Sequence, residues 1–148
     1  LFYVGDVEDN DFTNFEFKAK VKTTPSANSG IFFHTEYQEV GWPSKGYEVQ
    51  VNQSHSDWRK TGSLYSYDDV WEVHVEDNEW YTQHFIVKGD SITVKINGKT
   101  VVEYVESNDG KRSGDKGEQK FDSGTFAIQA HDPESVVYFK DIQVKLIP

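Results

Sequence analysis

Six polar residues sit where strand alternation would turn them away from a core, and their types suit proton transfer and hydroxyl recognition. In KGYEVQVN, residues 45–52, Tyr47, Val49 and Val51 share one phase, while Glu48, Gln50 and Asn52 share the other. GIFFHTEY (30–37) adds His34, and GTFAIQAHD (124–132) adds Gln129 and His131 in the corresponding outward phase. A carboxylate and two imidazoles can move protons near neutral pH, and the amides can bind hydroxyl groups. The neighbouring segments supply aromatic and cationic groups: Trp42 in VGWPSKG, Arg59 and Lys60 in SDWRKTG, and Tyr65 in TGSLYSY. Flat rings beside amides and carboxylates are what a sugar requires, with C–H faces against rings and hydroxyls against planar polar groups. The first strand differs in kind. NFEFKAKVK (14–22) turns Lys18, Lys20 and Lys22 outward, a solvating run.

These positions need strands to carry them, and period-two alternation recurs along the chain. Residues 14–22, 30–37, 46–52, 124–132 and 136–147 each read as a strand, with a short one at 61–67. QHFIVKGDSITVKINGKTVVEYV (83–105) reads as three strands joined by turns at Gly89-Asp90 and Asn97-Gly98. Asn-Gly accepts the positive φ of a type I′ turn. Asp132-Pro133 marks a further turn. A helical turn fits only near 66–72, Trp80 reads as core, and Trp71 as cover for an edge. Residues 107–120 have almost no apolar content and read as a long loop. Many short strands with one apolar face each predict an all-β sandwich of two antiparallel sheets, as one domain spanning 1–148.

Composition narrows the chemistry. The 148 residues carry a net charge of −10, from 15 Lys and Arg against 25 Asp and Glu, which argues against nucleic acid and anionic membrane as partners. No apolar run approaches the ~20 residues that cross a bilayer. Without cysteine there is neither disulfide nor thiolate chemistry, and without Gly-x-Ser-x-Gly there is no sign of a serine hydrolase. Asp77, Asp109 and Asp115 are loop carboxylates with no metal-ligand spacing; a divalent cation bridging His and Glu would have no signature here, so no cofactor is assigned. A retaining glycosidase needs two carboxyl groups about 5 Å apart. Here the strand offers Glu48 followed by Gln50 and Asn52.

The blocks NFEFKAKVKTTPSANSGIFFHT, KGYEVQVN, RKTGSLY, GDSITVKINGKTVVEY and GTFAIQAHDPESVVYFKDIQVK, in this order, resemble the 3-keto-disaccharide hydrolase family, also described as 3-keto-glucoside lyase and 3-keto-glucal hydratase. The resemblance runs from about residue 11 to the end. It implies a concanavalin A-like jelly roll, a secreted, periplasmic or cell-surface bacterial setting, and an N-terminally trimmed chain, since relatives begin with a further strand. It departs at His34, where relatives often carry Arg. It also implies a chemistry that needs no carboxylate pair. A ketone at carbon 3 of a glucoside acidifies the proton on carbon 2, a base removes it, and the aglycone leaves carbon 1. Water then adds to the keto-glucal. On this reading Glu48 is the base and His131 or His34 the acid or enolate stabiliser. Gln50 and Gln129 bind hydroxyls; Arg59, Lys60 and Tyr65 line the rim; Trp42 is a stacking plate. Two other readings stay open: a carbohydrate-binding module using the same face without turnover, and a structural domain of a cell-surface glycan-utilisation protein.

Overall fold

A computed structural model describes residues 1–107, 123–130 and 132–148. His131 and residues 108–120 of the predicted loop lie outside the described residues. The alternation read from the sequence becomes eight strands: β1 Phe15–Thr23, β2 Ser29–Thr35, β3 Tyr47–Val51, β4 Tyr81–Lys88, β5 Ser91–Ile96, β6 Lys99–Val105, β7 Thr125–Ile128 and β8 Val137–Leu146. They form a five-stranded sheet, β6-β5-β4-β1-β8, and a three-stranded sheet, β3-β2-β7. Every pairing within them is antiparallel.

The sheets face each other across one aromatic core. Phe15, Phe17, Ala19 and Val21 of β1 point inward and are at most 3% exposed. Phe85 of β4 stacks on Phe17 at 4.7 Å and on Phe33 of β2 at 5.1 Å, joining the two sheets through ring faces. Burying each such side chain contributes about 1.5–3 kcal/mol. The β4–β5–β6 meander closes as predicted. Asn97 and Gly98 take φ of 48° and 81°, and the Asn97 side chain accepts from Thr82 N–H at 2.9 Å.

The two sheets differ in how their outer faces are treated. Strand β1 alternates buried with exposed or half-buried positions, as a solvated sheet should. Strands β2 and β3 are buried at every position, on both faces. The edge of β3 away from β2 is paired with a ribbon. Residues 61–65 run antiparallel along it: Thr61 N–H donates to Asn52 O at 2.9 Å, Gly62 to Gln50 O at 3.0 Å and Tyr65 to Glu48 O at 2.9 Å. This replaces the strand predicted at 61–67 with two isolated bridges, Val49 to Leu64 and Leu64 to Asp68, and Tyr67 and Asp68 turn back onto Leu64 O instead of starting a helix.

Candidate functional site

The register fixes which outer-face residues meet. Glu48 lies opposite Phe32, which lies opposite Ala127; Gln50 lies opposite Gly30. Gln129 N–H donates to Gly30 O at 2.9 Å, which places Gln129 in the same row as Gly30 and Gln50. On the far side of β3, Leu64 pairs with inward Val49, so Tyr65 falls opposite Glu48 on the outer face.

Glu48 is 7% exposed. Its carboxylate occupies the space a side chain would take at Gly30: a Cβ there would stand 2.3 Å from Glu48 Oε1 and 2.9 Å from Cδ. The glycine is what lets the carboxylate lie flat against β2. Gln50, 1% exposed, holds it from the side. With the Gln50 oxygen toward Ser29 O and Glu48 Oε1, acceptors would face acceptors. In the opposite orientation its nitrogen donates to Ser29 O at 3.1 Å and to Glu48 Oε1 at 3.0 Å. The Gln50 oxygen then faces Asn28 Oδ1 at 3.0 Å, and turning the Asn28 amide as well makes its nitrogen the donor, so that Asn28, Gln50 and Glu48 form one line of polar groups.

The segment after β3 is tied by Asn52, which is fully buried. Its Nδ2 donates to Asp57 O and Arg59 O at 2.9 Å each, and its Oδ1 accepts from His55 N–H at 2.9 Å. This brings Arg59 back beside the outer face. The Arg59 guanidinium lies 4.8 Å from the Trp58 ring and 4.5 Å from the Tyr65 ring, with Nε donating to Asp69 Oδ2 at 3.2 Å. Burial works against its charge, but Asp69, Tyr65 and Asp57 outweigh that and hold its pKa above the ordinary value. The Tyr65 phenol is pushed up by burial first, then by Asp57; Arg59 pulls it down, and Glu48 and Asp69 add to the rise. Asp68 is pushed up by burial and by Asp69.

Four expected positions turn out otherwise or are not described. His34 is not on the outer face. The β2–β7 register shifts between Phe32 and Thr35, His34 takes φ of 52°, and its ring turns between the sheets. There Nε2 hydrogen-bonds Thr13 O at 2.9 Å, and the ring meets Phe15 and Phe33 edge-on at 5.7 and 5.3 Å. A bulge inverts the facing of whatever follows it, and counting residues cannot foresee one. Lys60 does not reach toward the rim: its ammonium donates to His55 O at 2.8 Å and Asp57 O at 2.9 Å within its own loop. His131 is not among the described residues. Trp42, 58% exposed, lies in the β2–β3 connection, whose backbone is braced by Gln38 Nε2 on Val40 O and Trp42 O. Trp80, expected in the core, is 40% exposed and carries Lys140 and Lys22 over its ring at 4.0 and 5.1 Å.

Gly30 and Asn28 are parts of this arrangement that the sequence analysis did not assign to the site. The signal for Gly30 lies across the sheet, in a long side chain one register step away. A hollow of about 480 Å³ opens beside Asn28 and Gln129 at the next row, bordered also by Ser29 and Asp132. The larger apolar hollow, about 510 Å³, lies between β7 and β8 against Phe126 and Val144 and holds none of these polar groups. Among the described residues no group of three or more His, Asp or Glu side chains is disposed to hold a metal ion. No helix among them is long and apolar enough to cross a membrane.

Comparison with known proteins agrees with this architecture. The family model described as 3-keto-alpha-glucoside-1,2-lyase-like domain matches residues 7–145. No curated protein matches the chain. Among solved structures, a proposed glycosyl hydrolase from Parabacteroides distasonis is 21% identical with a TM-score of 0.76, covering 94% of this chain and 81% of that one. A second proposed glycosyl hydrolase from the same organism is 24% identical with a TM-score of 0.78, covering 93% and 74%. The carbohydrate binding module CBM66 from Bacillus subtilis is 12% identical with a TM-score of 0.61, covering 91% and 76%. At these identities the structural likenesses speak for the fold, the concanavalin A-like jelly roll expected from the sequence.

Proposed function

Because the chain belongs to the 3-keto-alpha-glucoside-1,2-lyase-like domain family, we propose that it cleaves glycosides oxidised at carbon 3, with Glu48 as the base that removes the proton on carbon 2. The observation that carries this reading is the setting of Glu48: one carboxylate on the outer face of the smaller sheet, 7% exposed, laid over Gly30 and held by Gln50. A base that must meet one particular C–H bond gains from such fixing, because misplacement by an ångström is costly. Its isolation from a second carboxylate on β3 or β2 suits elimination next to a ketone and does not suit ordinary glycosidase chemistry. Gln129 binds a substrate hydroxyl in this scheme, Arg59 and Trp42 flank the sugar, and the enzyme acts outside the bacterial cytoplasm. Gln50, expected from the sequence to bind hydroxyls, is buried with its amide taken by its neighbours and positions the carboxylate instead.

The test compares a 3-keto-glucoside with its unoxidised parent. The wild-type protein turns over the first and not the second. Glu48→Gln keeps the Gln50 hydrogen bond and the fold, and loses about 10²–10⁴-fold in kcat, the usual worth of a positioned general base. Full activity in a folded Glu48→Gln protein removes Glu48 from the mechanism. Saturable binding of either sugar with no turnover by the wild type makes the domain a carbohydrate-binding module instead.

A further inference from the structure

Elimination needs a second proton. The aglycone oxygen must be protonated as it leaves carbon 1 if the aglycone is a sugar or an alkyl alcohol, since an alkoxide is a poor leaving group. His34, turned between the sheets with its ring on Thr13 O, cannot supply it. Arg59 does not give up a proton in a protein. Among the described residues, a titratable side chain that the ladder sets beside Glu48 is Tyr65. Its backbone N–H donates to Glu48 O at 2.9 Å, which makes the two residues cross-strand neighbours on the outer face. Cβ atoms of such neighbours lie about 4.5–5.5 Å apart, and a phenol hydroxyl then reaches beyond a glutamate carboxylate on the same side. The ring is aimed by a cation. Arg59 sits 4.5 Å from it and is itself clamped by Asp69 at 3.2 Å, with Ser66 Oγ at 3.4 Å from its Nη2. Burial and the charges of Asp57 and Glu48 keep the phenol protonated at neutral pH against the pull of Arg59.

We propose that Tyr65 is the proton donor to the departing aglycone oxygen, an inference that rests on Glu48 being the base. Glu48 takes the carbon-2 proton, and the C–H electron pair passes into the enolate of the ketone. The carbonyl re-forms as the carbon 1–carbon 2 double bond forms and the carbon 1–oxygen bond breaks. The aglycone oxygen leaves with that bond pair and takes the phenolic proton. Hydration runs the same transfers backward: the Tyr65 phenolate takes a proton from water as hydroxide bonds carbon 1, and Glu48 returns its proton to carbon 2. One glycoside and one water give one 3-keto sugar and one alcohol, with both side chains restored.

Tyr65→Phe keeps the ring under Arg59 and removes only the hydroxyl. Two measurements on the folded variant separate the roles: deuterium uptake at carbon 2 in heavy water, and aglycone release from 3-keto-glucosides bearing either an alkyl alcohol or a nitrophenol. The expected result is a loss of at least about 100-fold in release of the alkyl alcohol, a loss under about 10-fold with nitrophenol, and retained deuterium uptake. Equal losses with both aglycones, or loss of deuterium uptake together with release, overturns the assignment. Glu48→Gln reports on the reading beneath it: loss of deuterium uptake with both aglycones upholds the base, whereas retained uptake sinks the base and the donor role with it.

Discussion

The outer face of the five-stranded sheet and the outer face of the three-stranded sheet are written in the same alternating pattern, yet only one of them is built. On the larger sheet Lys18 and Lys20 are exposed, and Lys20 Nζ reaches Thr82 Oγ1 at 2.8 Å. Glu16 faces Lys145 at 3.8 Å. Contacts of this kind between exposed side chains are worth about 0–1 kcal/mol and shift with salt. On the smaller sheet Glu48, Gln50 and Asn52 are 7%, 1% and 0% exposed, and among their partners are backbone groups, the Asn28 side chain and one another. Alternation decides which side of a strand faces away from the core. It does not decide whether that side meets water. The folded-back segment after β3 pairs along the edge of that strand and brings Tyr65 and Arg59 beside the outer face, and Asn52 is the residue that ties it down.

The contrast is broken most directly through glycines, beyond the loss already set out for Glu48→Gln. Gly30→Ala forces a methyl to within 2.3 Å of Glu48 Oε1, so the carboxylate must swing away. We expect kcat to fall about 100-fold, as misplacing a reacting group by about 1 Å does, with a loss of about 1–3 kcal/mol of stability as the buried side chain moves off its Gln50 partner. Gly98→Ala, in the hairpin of the larger sheet, meets nothing within 4 Å but sits at φ 81°. It should cost about 1–2 kcal/mol of stability through backbone strain alone and leave kcat as it was. Steady-state kinetics beside thermal melts reads both. Undiminished kcat in Gly30→Ala would mean that the glycine does not position the carboxylate.

His34 gives the next smaller effect and a different one. It belongs to the space between the sheets, with a hydrogen bond to Thr13 O and ring contacts to Phe15 and Phe33 in the core. His34→Ala should cost about 1–3 kcal/mol in urea unfolding, the range for a lost buried hydrogen bond and its packing. Activity per folded molecule should stay. A fall in kcat matching that of Glu48→Gln would return His34 to the site.

Both successes and failures of the sequence reading follow from what a one-dimensional pattern can carry. Phe15, Phe17 and Val21 were legible as core because a strand that is not bulged repeats every two residues. Asn97-Gly98 was legible because its φ values suit few other residue pairs. Glu48 and Gln50 were legible as outward neighbours. His34 was not, since a bulge rewrites the phase at one residue without marking it in the sequence. Lys60 and Trp80 were misread because their surroundings are carbonyls and lysines distant in sequence or hidden in a loop. Gly30 was unreadable as a site residue: what matters there is an absent side chain seen from another strand.

The smallest effect lies on the solvated face and sharpens the comparison from that side. His84 of β4 stands between Glu16 of β1, at 3.4 Å from its Nε2, and the lysines Lys18 of β1 and Lys95 of β5. Burial and then Lys18 push its pKa below the ordinary 6.5, against the pull of Glu16. The unfolded chain therefore binds this proton more readily than the folded one. The contribution to stability is fully present above pH 6.5 and is lost as the pH falls toward the folded pKa. His84→Gln should make the stability curve flatter below pH 6.5 by less than about 1 kcal/mol, as befits a partly solvated group among screened charges, read from urea midpoints across pH. The pH profile of kcat should not move, because His84 lies on the outer face of the other sheet from Glu48. A shift of the kcat profile in His84→Gln would mean that the two faces are electrically coupled through the sandwich, and that the division between a solvated face and a built one is too sharp.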